Sequence, residues 1–439
     1  MGIEWITILL FGSMLLLLLT GFPISYGLGA IAMVFSLWLW GPQSLFMGYL
    51  AAVSTVNYTV LVCIPMFVFM GMMLYYSGIA DDLYTTFQYW LAPIPGGLAS
   101  ATVGVCTMIA ALVSSEAAGT LTMGRIALPL MLKRGYQKEI ATGCIQAGAA
   151  LGFLVPPSCI AILYAVIAKE SIGRLFLGGA IPGLMLAIMY IIYITVRCYF
   201  QPHLAPPIPK EERPSRKEKI KSLRHLIMPC AIIFSVIGTI MMGLTTPVES
   251  AAIGALGAMI AVAIKKKLNL KLIKDALMDS SKLTAIMMWI FMGAMTFGQI
   301  YDALGAKEII HTVTTALPLG PWGVLIMIQC TFFILGMFMD DTAILFITMP
   351  IYIPIINELG FNPTWFGVLY IINMQMAYMT PPFGYCLMLI KGVVPPEISM
   401  GDIYRSVIPF VIIQGVALAL IMIFPELVLW LPRVMLGGG

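Results

Sequence analysis

The chain has 439 residues, 60% of them hydrophobic and only 10% charged, a balance that excludes an ordinary soluble domain. Its net charge is +4, and the Lys and Arg sit mostly between apolar runs, which speaks of membrane orientation and against nucleic acid as a partner. Eight cysteines lie singly with no CxxC pair, and the three histidines (203, 225 and 311) are scattered, so neither a disulfide framework nor a zinc or haem set can be assembled.

No basic n-region or small-residue cleavage site opens the chain, so the stretch from Trp5 reads as a retained helix rather than a signal peptide. Residues 4–38 are apolar and punctuated by Gly21, Phe22 and Pro23, enough for two short crossings or one bent helix. A second block, 43–77, breaks near Asn57. After Asp81 and Asp82, the turn cluster Pro93-Ile94-Pro95-Gly96-Gly97 starts a hairpin over about 96–132. Its apolar run is too short to cross a bilayer twice, and the polar Ser114-Ser115-Glu116 interrupts it. Residues 139–168 read as a helix broken at Pro156-Pro157, and 175–200 as a full span.

Residues 201–225 form the one substantial hydrophilic segment, a linker with seven Lys/Arg against three Glu. The second half then starts over. Spans 226–243 and 247–264 are followed by a hairpin over about 320–354, interrupted by Asp340-Asp341-Thr342. A helix over about 363–392 is broken at Pro381-Pro382, and a last span covers 406–430. Pro129 and Pro354, Gly135 and Gly360, and Pro156 and Pro381 each lie 225 residues apart. The same order of punctuation in both halves predicts an internal duplication over 1–200 and 226–439. With the basic linker in the cytoplasm, Lys133, Arg134 and Lys138 fall inside and the base of the second hairpin outside, so the two repeats are inverted. Lys169 and Arg174 fall outside in this arrangement, and both termini come out externally.

The expected fold is therefore an all-α polytopic membrane protein with two re-entrant helical hairpins and two broken helices. The first helices and the spans 175–200 and 406–430 would form a scaffold beside them. Hairpin tips at membrane depth leave backbone groups unpartnered, and these persist only beside a cavity or within protein. Oxygens there can hold a cation such as sodium, while half-helix N-termini favour an anion. The candidates are Ser114, Ser115 and Gly152 at the first tip and Asp340, Thr342 and Thr380 at the second. The alternative is that these residues only cap helices and the prolines only kink them. Arg125 and Glu116 either neutralise each other or leave Arg125 free to fork a substrate carboxylate. Glu249 follows Pro247 in the first turn of a helix, where a carboxylate suits the helix dipole, and reads as a capping residue rather than a transport residue. No GxxxxGK[ST] stretch occurs, so uphill transport would run on an ion gradient or on a motor in another chain.

Residues 129–136 (PLMLKRGY), 151–158 (LGFLVPPS), 246–251 (TPVESA), 336–340 (GMFMD) and Thr380-Pro381-Pro382 together resemble the large membrane subunit of tripartite ATP-independent periplasmic (TRAP) transporters. The resemblance covers essentially the whole chain. It implies a sodium-driven elevator importer of small organic acid anions in the bacterial inner membrane. It also implies a small four-helix membrane subunit and an extracytoplasmic solute-binding protein as partners, beside membrane lipid, with no cofactor other than sodium as coupling ion. Family cation sites at the two tips carry over to Ser114, Ser115, Asp340, Thr342 and Thr380; with Ser115, Arg125, Ser158 and Thr342 taken as substrate contacts, the set is complete. Where the family usually reads Gly-Ser-Ser and then small residues, this chain has Val113 before the serines and Glu116 after them, and Arg125 stands where a small or polar residue is usual. A stand-alone sodium–dicarboxylate symporter of the same architecture is the alternative. An intramembrane enzyme is disfavoured, because no HExxH occurs and Asp340 and Asp341, as helix neighbours, would point different ways.

Overall fold

The computed structural model describes residues 3–20, 22, 24–113, 115–305, 320–382 and 384–437. Gly21, Pro23, Ser114 and His311, all named above, lie outside the described residues. Within them the regular structure is helical throughout, and six helical stretches are long and apolar enough to cross a membrane.

The first block forms α1 (Ile3–Leu19), α2 (Ile24–Trp40), α3 (Leu45–Asn57) and α4 (Cys63–Ser77). Next come α5 (Ile79–Leu91), the hairpin arms α6 (Gly97–Val113) and α7 (Glu116–Lys133), and the broken pair α8 (Lys138–Ala150) and α9 (Cys159–Ala168). The long α10 (Ile172–Phe200) ends at the linker, where α11 (Arg216–Ser222) forms. The second half supplies α12 (Arg224–Ile233), α13 (Thr239–Met241), α14 (Pro247–Ile264) and α15 (Leu270–Ala303). It continues with the arms α16 (Gly320–Gly336) and α17 (Asp341–Glu358), the broken pair α18 (Pro363–Ala377) and α19 (Tyr385–Lys391), then α20 (Met400–Ile423) and α21 (Glu426–Leu436). Both ends of α7 and α17 are 225 residues apart. Gly135 and Gly360, which close these two helices, share φ +77°, a left-handed turn that only glycine adopts without penalty. At the head of α14 the capping role of Glu249 is realised: its carboxylate accepts the Thr246 N–H at 2.7 Å, and its own N–H donates to Thr246 Oγ1 at 3.3 Å.

Each hairpin arm of 17 or 18 residues is about 26 Å long. That is nearly bilayer thickness, so arm length alone does not make these half-crossings. What sets the first tip is packing against the interruption of the neighbouring helix. There α8 ends in a single tight turn, Leu151–Phe153, and the Pro156-Pro157 bond is cis, as is Pro381-Pro382.

The helices pack as two groups. In the first, α2 lies along α15 and α14 along α4. The backbones of α2 and α15 come close where a β-carbon on Gly293 would sit 3.0 Å from the Gly29 nitrogen. The second group holds both hairpins and both broken helices. It also holds α10 and α20, which corrects the expectation that spans 175–200 and 406–430 stand with the first helices. α10 packs on α6, α9, α18 and α20, and α20 on α8 and α18. The reason is small residues on α10: a β-carbon on Gly179 would lie 2.6 Å from the Leu154 carbonyl oxygen, so α10 closes directly on the unwound segment.

The hydrophilic linker is not a free boundary loop. Leu204, Ala205 and Ile208 are buried, and their backbones are stitched to the foot of the first hairpin. Gln137 N–H donates to the Leu204 carbonyl at 2.8 Å, Gly96 N–H to Ala205 at 3.0 Å, and Ile208 N–H to Ala92 at 3.2 Å. Arg134 pairs with Glu212 at 2.5 Å, and α11 packs on α5.

Candidate functional site

Both tips open onto one cavity of about 320 Å³ between the two helix groups. One wall is apolar, from Val68 and Met72 on α4 and Leu283 to Ile290 on α15. The other carries Ser115, Glu116, Gly152, Ser158, Asp340, Asp341 and Thr342. Ser115, Gly152, Asp340 and Thr342, expected at the two tips, and Ser158, expected as a substrate contact, therefore meet in one space.

Local chemistry explains each position. Ser115 and Ser158 are the N-caps of α7 and α9, accepting the N–H of Ala118 and Ala161, each at 3.4 Å. Ser158 Oγ also donates to the Phe153 carbonyl at 2.5 Å, tying the start of α9 to the interruption before it. Gly152 allows the first tip to touch that interruption, because a β-carbon there would lie 3.2 Å from the Glu116 nitrogen. Asp340 caps α17, its carboxylate accepting the Thr342 N–H at 3.2 Å, while Asp341 accepts the same N–H at 2.7 Å.

Asp340 and Asp341 do not point different ways. Both carboxylates reach one hydroxyl, that of Tyr378, at 2.6 and 2.9 Å. Asp340 leads the helix as its cap and Asp341 is its first residue, so the alternation of a regular helix does not apply there. The Asp341 N–H donates to the Tyr378 oxygen at 3.1 Å, and Tyr370 Oη donates to the Asp341 carbonyl at 2.5 Å. The Tyr378 ring stands edge-on to Phe153, centroids 4.9 Å apart, and so joins the two interruptions. Sequence reasoning missed Tyr378; its only signal is its place at the end of α18, just before Thr380-Pro381-Pro382.

Two expected residues stand apart. Thr380 Oγ1 donates back to the Met376 carbonyl at 2.8 Å, and the residue is not among those lining the cavity. Arg125 is exposed, on a stripe with Pro129 and Lys133, about 13 Å along α7 from Glu116 and off the cavity wall. No ion pair joins Arg125 to Glu116 among the described residues. Among the described residues the cavity lining thus carries three carboxylates and no Lys or Arg. Arg125→Gln is expected to leave solute uptake within about twofold of the parent, as for other exposed substitutions. Glu116→Gln should instead change how uptake depends on cations, and the double variant Glu116→Arg/Arg125→Glu should not recover it. Recovery by that charge swap would show that the two residues act as a pair.

An apolar, all-helical chain whose two hairpin tips share one polar cavity is a membrane permease, built to pass a solute. Over residues 11–427 it matches the DctM component of the tripartite ATP-independent periplasmic transporter, and it belongs to that family. It is 31% identical over 398 residues to the C4-dicarboxylate TRAP transporter large permease protein DctM of Pseudomonas aeruginosa, covering 90% of this chain and 91% of that one. To the sialic acid TRAP transporter large permease protein SiaM of Vibrio cholerae it is 27% identical over 424 residues, covering 96% and 97%. Among solved structures, the Alcanivorax borkumensis YdaH transporter shares the fold, with a TM-score of 0.68 at 14% identity over 97% of this chain and 100% of that one. The chain is a multi-pass inner-membrane transport subunit, and its relatives are permeases rather than enzymes.

Proposed function

We propose that this chain is the transport subunit of a receptor-dependent system that takes up a small organic acid anion together with sodium. The observation that carries the proposal is the convergence of Ser115, Gly152, Ser158, Asp340 and Thr342 on one cavity. The two relatives named above are called permeases for C4-dicarboxylates and for sialic acid, both carboxylic acids. In this reading Ser115, Asp340, Asp341 and Thr342 offer oxygens to sodium. The N-terminus of α9, whose first turn has no carboxylate of its own, faces the anion beside Ser158. Three carboxylates on the wall would repel an anion, so sodium must enter first or with it, and its charge also offsets the cost of moving an anion against an inside-negative potential. A small four-helix membrane subunit and an extracytoplasmic solute-binding protein complete the system, the latter delivering the solute.

The corresponding helix bounds, 225 residues apart, support two repeats, with hairpins at 96–132 and 320–354. The basic foot of the first hairpin against the Lys- and Arg-free foot of the second supports their inversion. The separation into two packed groups supports an elevator, in which the hairpin group moves as a body against α1–α4, α14 and α15. The test is uptake of a radiolabelled C4-dicarboxylate and of sialic acid into proteoliposomes, with and without sodium, small subunit and binding protein. Uptake is expected only with all of them present. The same liposomes carrying cysteines at Met72 and Val113, one on each helix group where α4 meets the first tip, should crosslink in a manner that sodium and solute alter. Unchanged uptake after replacement of sodium by choline would end the sodium reading. Uptake without binding protein would favour the stand-alone symporter.

A further inference from the structure

A second polar cleft lies at the foot of α8, α10 and α20, remote from the transport cavity. It encloses about 300 Å³, and its charged lining is Glu139, Arg197 and Arg405. Glu139 stands in the first turn of α8, Arg197 in the last turn of α10 and Arg405 in the second turn of α20, so all three share one level. Lys138, next to Glu139, donates to the Glu397 carbonyl at 2.9 Å, and Arg134, at the end of α7, pairs with Glu212 of the linker. By the excess of Lys and Arg this basic end is assigned to the cytoplasm, which would put the cleft at the level of lipid headgroups.

The two guanidiniums are differently held. Arg197 donates to the Tyr193 hydroxyl, with its Cζ 5.7 Å from the centre of that ring, and the ring packs edge-on against Phe410. Arg405 and Glu139 make no ion pair or side-chain hydrogen bond among the described residues; Arg405 interacts with Asp402 through space only, so both side chains keep their hydrogen-bonding groups for a ligand. The nearby Asp402 is already engaged, by Ser399 at 2.8 Å and by Lys138 at 4.0 Å. Two guanidiniums match the oxygens of a phosphodiester, and one carboxylate matches an ammonium. Above the cleft run two exposed aliphatic ridges, Ile192 and Val196 on α10 and Ile408 and Ile412 on α20, each side chain about half exposed or more. A basic pocket between membrane helices at the cytoplasmic face, opening onto such ridges, has the form of a lipid headgroup site.

We propose that this cleft holds one phosphatidylethanolamine-type lipid of the cytoplasmic leaflet, its phosphate between Arg197 and Arg405, its ammonium on Glu139 and its acyl chains along the two ridges. The site goes beyond the transport reading and stands or falls independently of it.

The experiment is native mass spectrometry of the purified chain released from nanodiscs of equal phosphatidylethanolamine and phosphatidylglycerol. The parent should retain one phosphatidylethanolamine. Arg405→Gln should weaken retention about tenfold, the effect of losing one charge-assisted hydrogen bond, and Arg405→Lys should lose less. Glu139→Gln should abolish the preference for the amine-bearing headgroup while a lipid is still held. If Arg405→Gln does not purify as a monodisperse protein, Ile408→Trp, which obstructs the apolar edge of the cleft, replaces it and should also lose the lipid. Preference of the parent for phosphatidylglycerol, retention of no lipid, or equal retention by parent and variants overturns the proposal. So does displacement of the lipid by inorganic phosphate alone, which would make this a site for the free anion.

Discussion

Asp341→Ala is expected to reduce sodium-dependent uptake about a hundredfold, more than Asp340→Ala, while the protein still folds. The Asp341 side chain is buried, at 7% exposure, whereas Asp340 is exposed at the tip. Its carboxylate gathers the Thr342 N–H at 2.7 Å, the Thr342 hydroxyl at 3.2 Å and the Tyr378 hydroxyl at 2.9 Å. Hydrogen bonds to a charged group contribute roughly 1.5–3 kcal/mol each, and a hundredfold effect corresponds to about 2.7 kcal/mol. Losing this carboxylate removes a cation ligand in the proposed cycle and frees Thr342 and Tyr378 to turn. Asp340 remains to cap α17 through its 3.2 Å contact with the Thr342 N–H, which is why the helix should survive. Asp341→Asn separates the two contributions, since the amide keeps an acceptor and loses the charge. Sodium titrations of uptake, read beside thermal midpoints of the purified proteins, check the result. Parent-like sodium dependence in both Asp341 variants would remove this residue from the cation site.

The hairpins and broken helices were legible because their punctuation is local. Pro, Gly and short polar clusters act on the backbone within a few residues, so the starts of α7 and α17 are marked by Ser115-Glu116 and Asp340-Asp341 and their ends by Gly135 and Gly360. Pro129 and Pro354, in contrast, lie inside the helices, and the second hairpin runs to Glu358, past the expected 354. Tyr378 was not legible, since its role depends on where α18 carries it relative to the cap of α17, a contact across 38 residues. Asp341 departs from the sequence expectation for a related reason: helix periodicity does not hold at a cap, where the backbone is extended at Asp340. The side taken by α10 and α20 could not be read from hydropathy, because a span facing lipid has the same composition in either group. Its signal is steric, in Gly179 against Leu154. The buried Leu204, Ala205 and Ile208 were hidden by the charges around them, which dominate the average over the linker. Arg125 shows the limit from the other direction, for proximity in sequence to the tip does not bring its side chain to the cavity.

Gly152→Val should separate the first tip from the interruption it rests on and reduce uptake by between about ten- and a hundredfold. Already a β-carbon at this position would stand 3.2 Å from the Glu116 nitrogen and 3.3 Å from the Ser115 carbonyl carbon. Those neighbours are backbone, which cannot rotate away as a side-chain end can. Valine adds two further carbons beyond that contact, and overpacking of this kind costs about 1–3 kcal/mol. The cheapest relief is to shift the tip, because the other side of Gly152 is closed by α6 and α8. A shifted tip moves Ser115 and Glu116 away from Asp341 and Thr342, so sodium affinity should fall with uptake while the remainder of the fold is kept. Gly152→Ala should give an intermediate loss, its single carbon being accommodated by a few tenths of an ångström. Gly298→Ala is the control, since nothing lies within 4 Å of a β-carbon there. Its uptake should match the parent. If Gly152→Val lowers the thermal midpoint without raising the sodium requirement in the protein that remains folded, the glycine serves packing alone. A raised requirement at an unchanged midpoint assigns it to the geometry of the shared cavity.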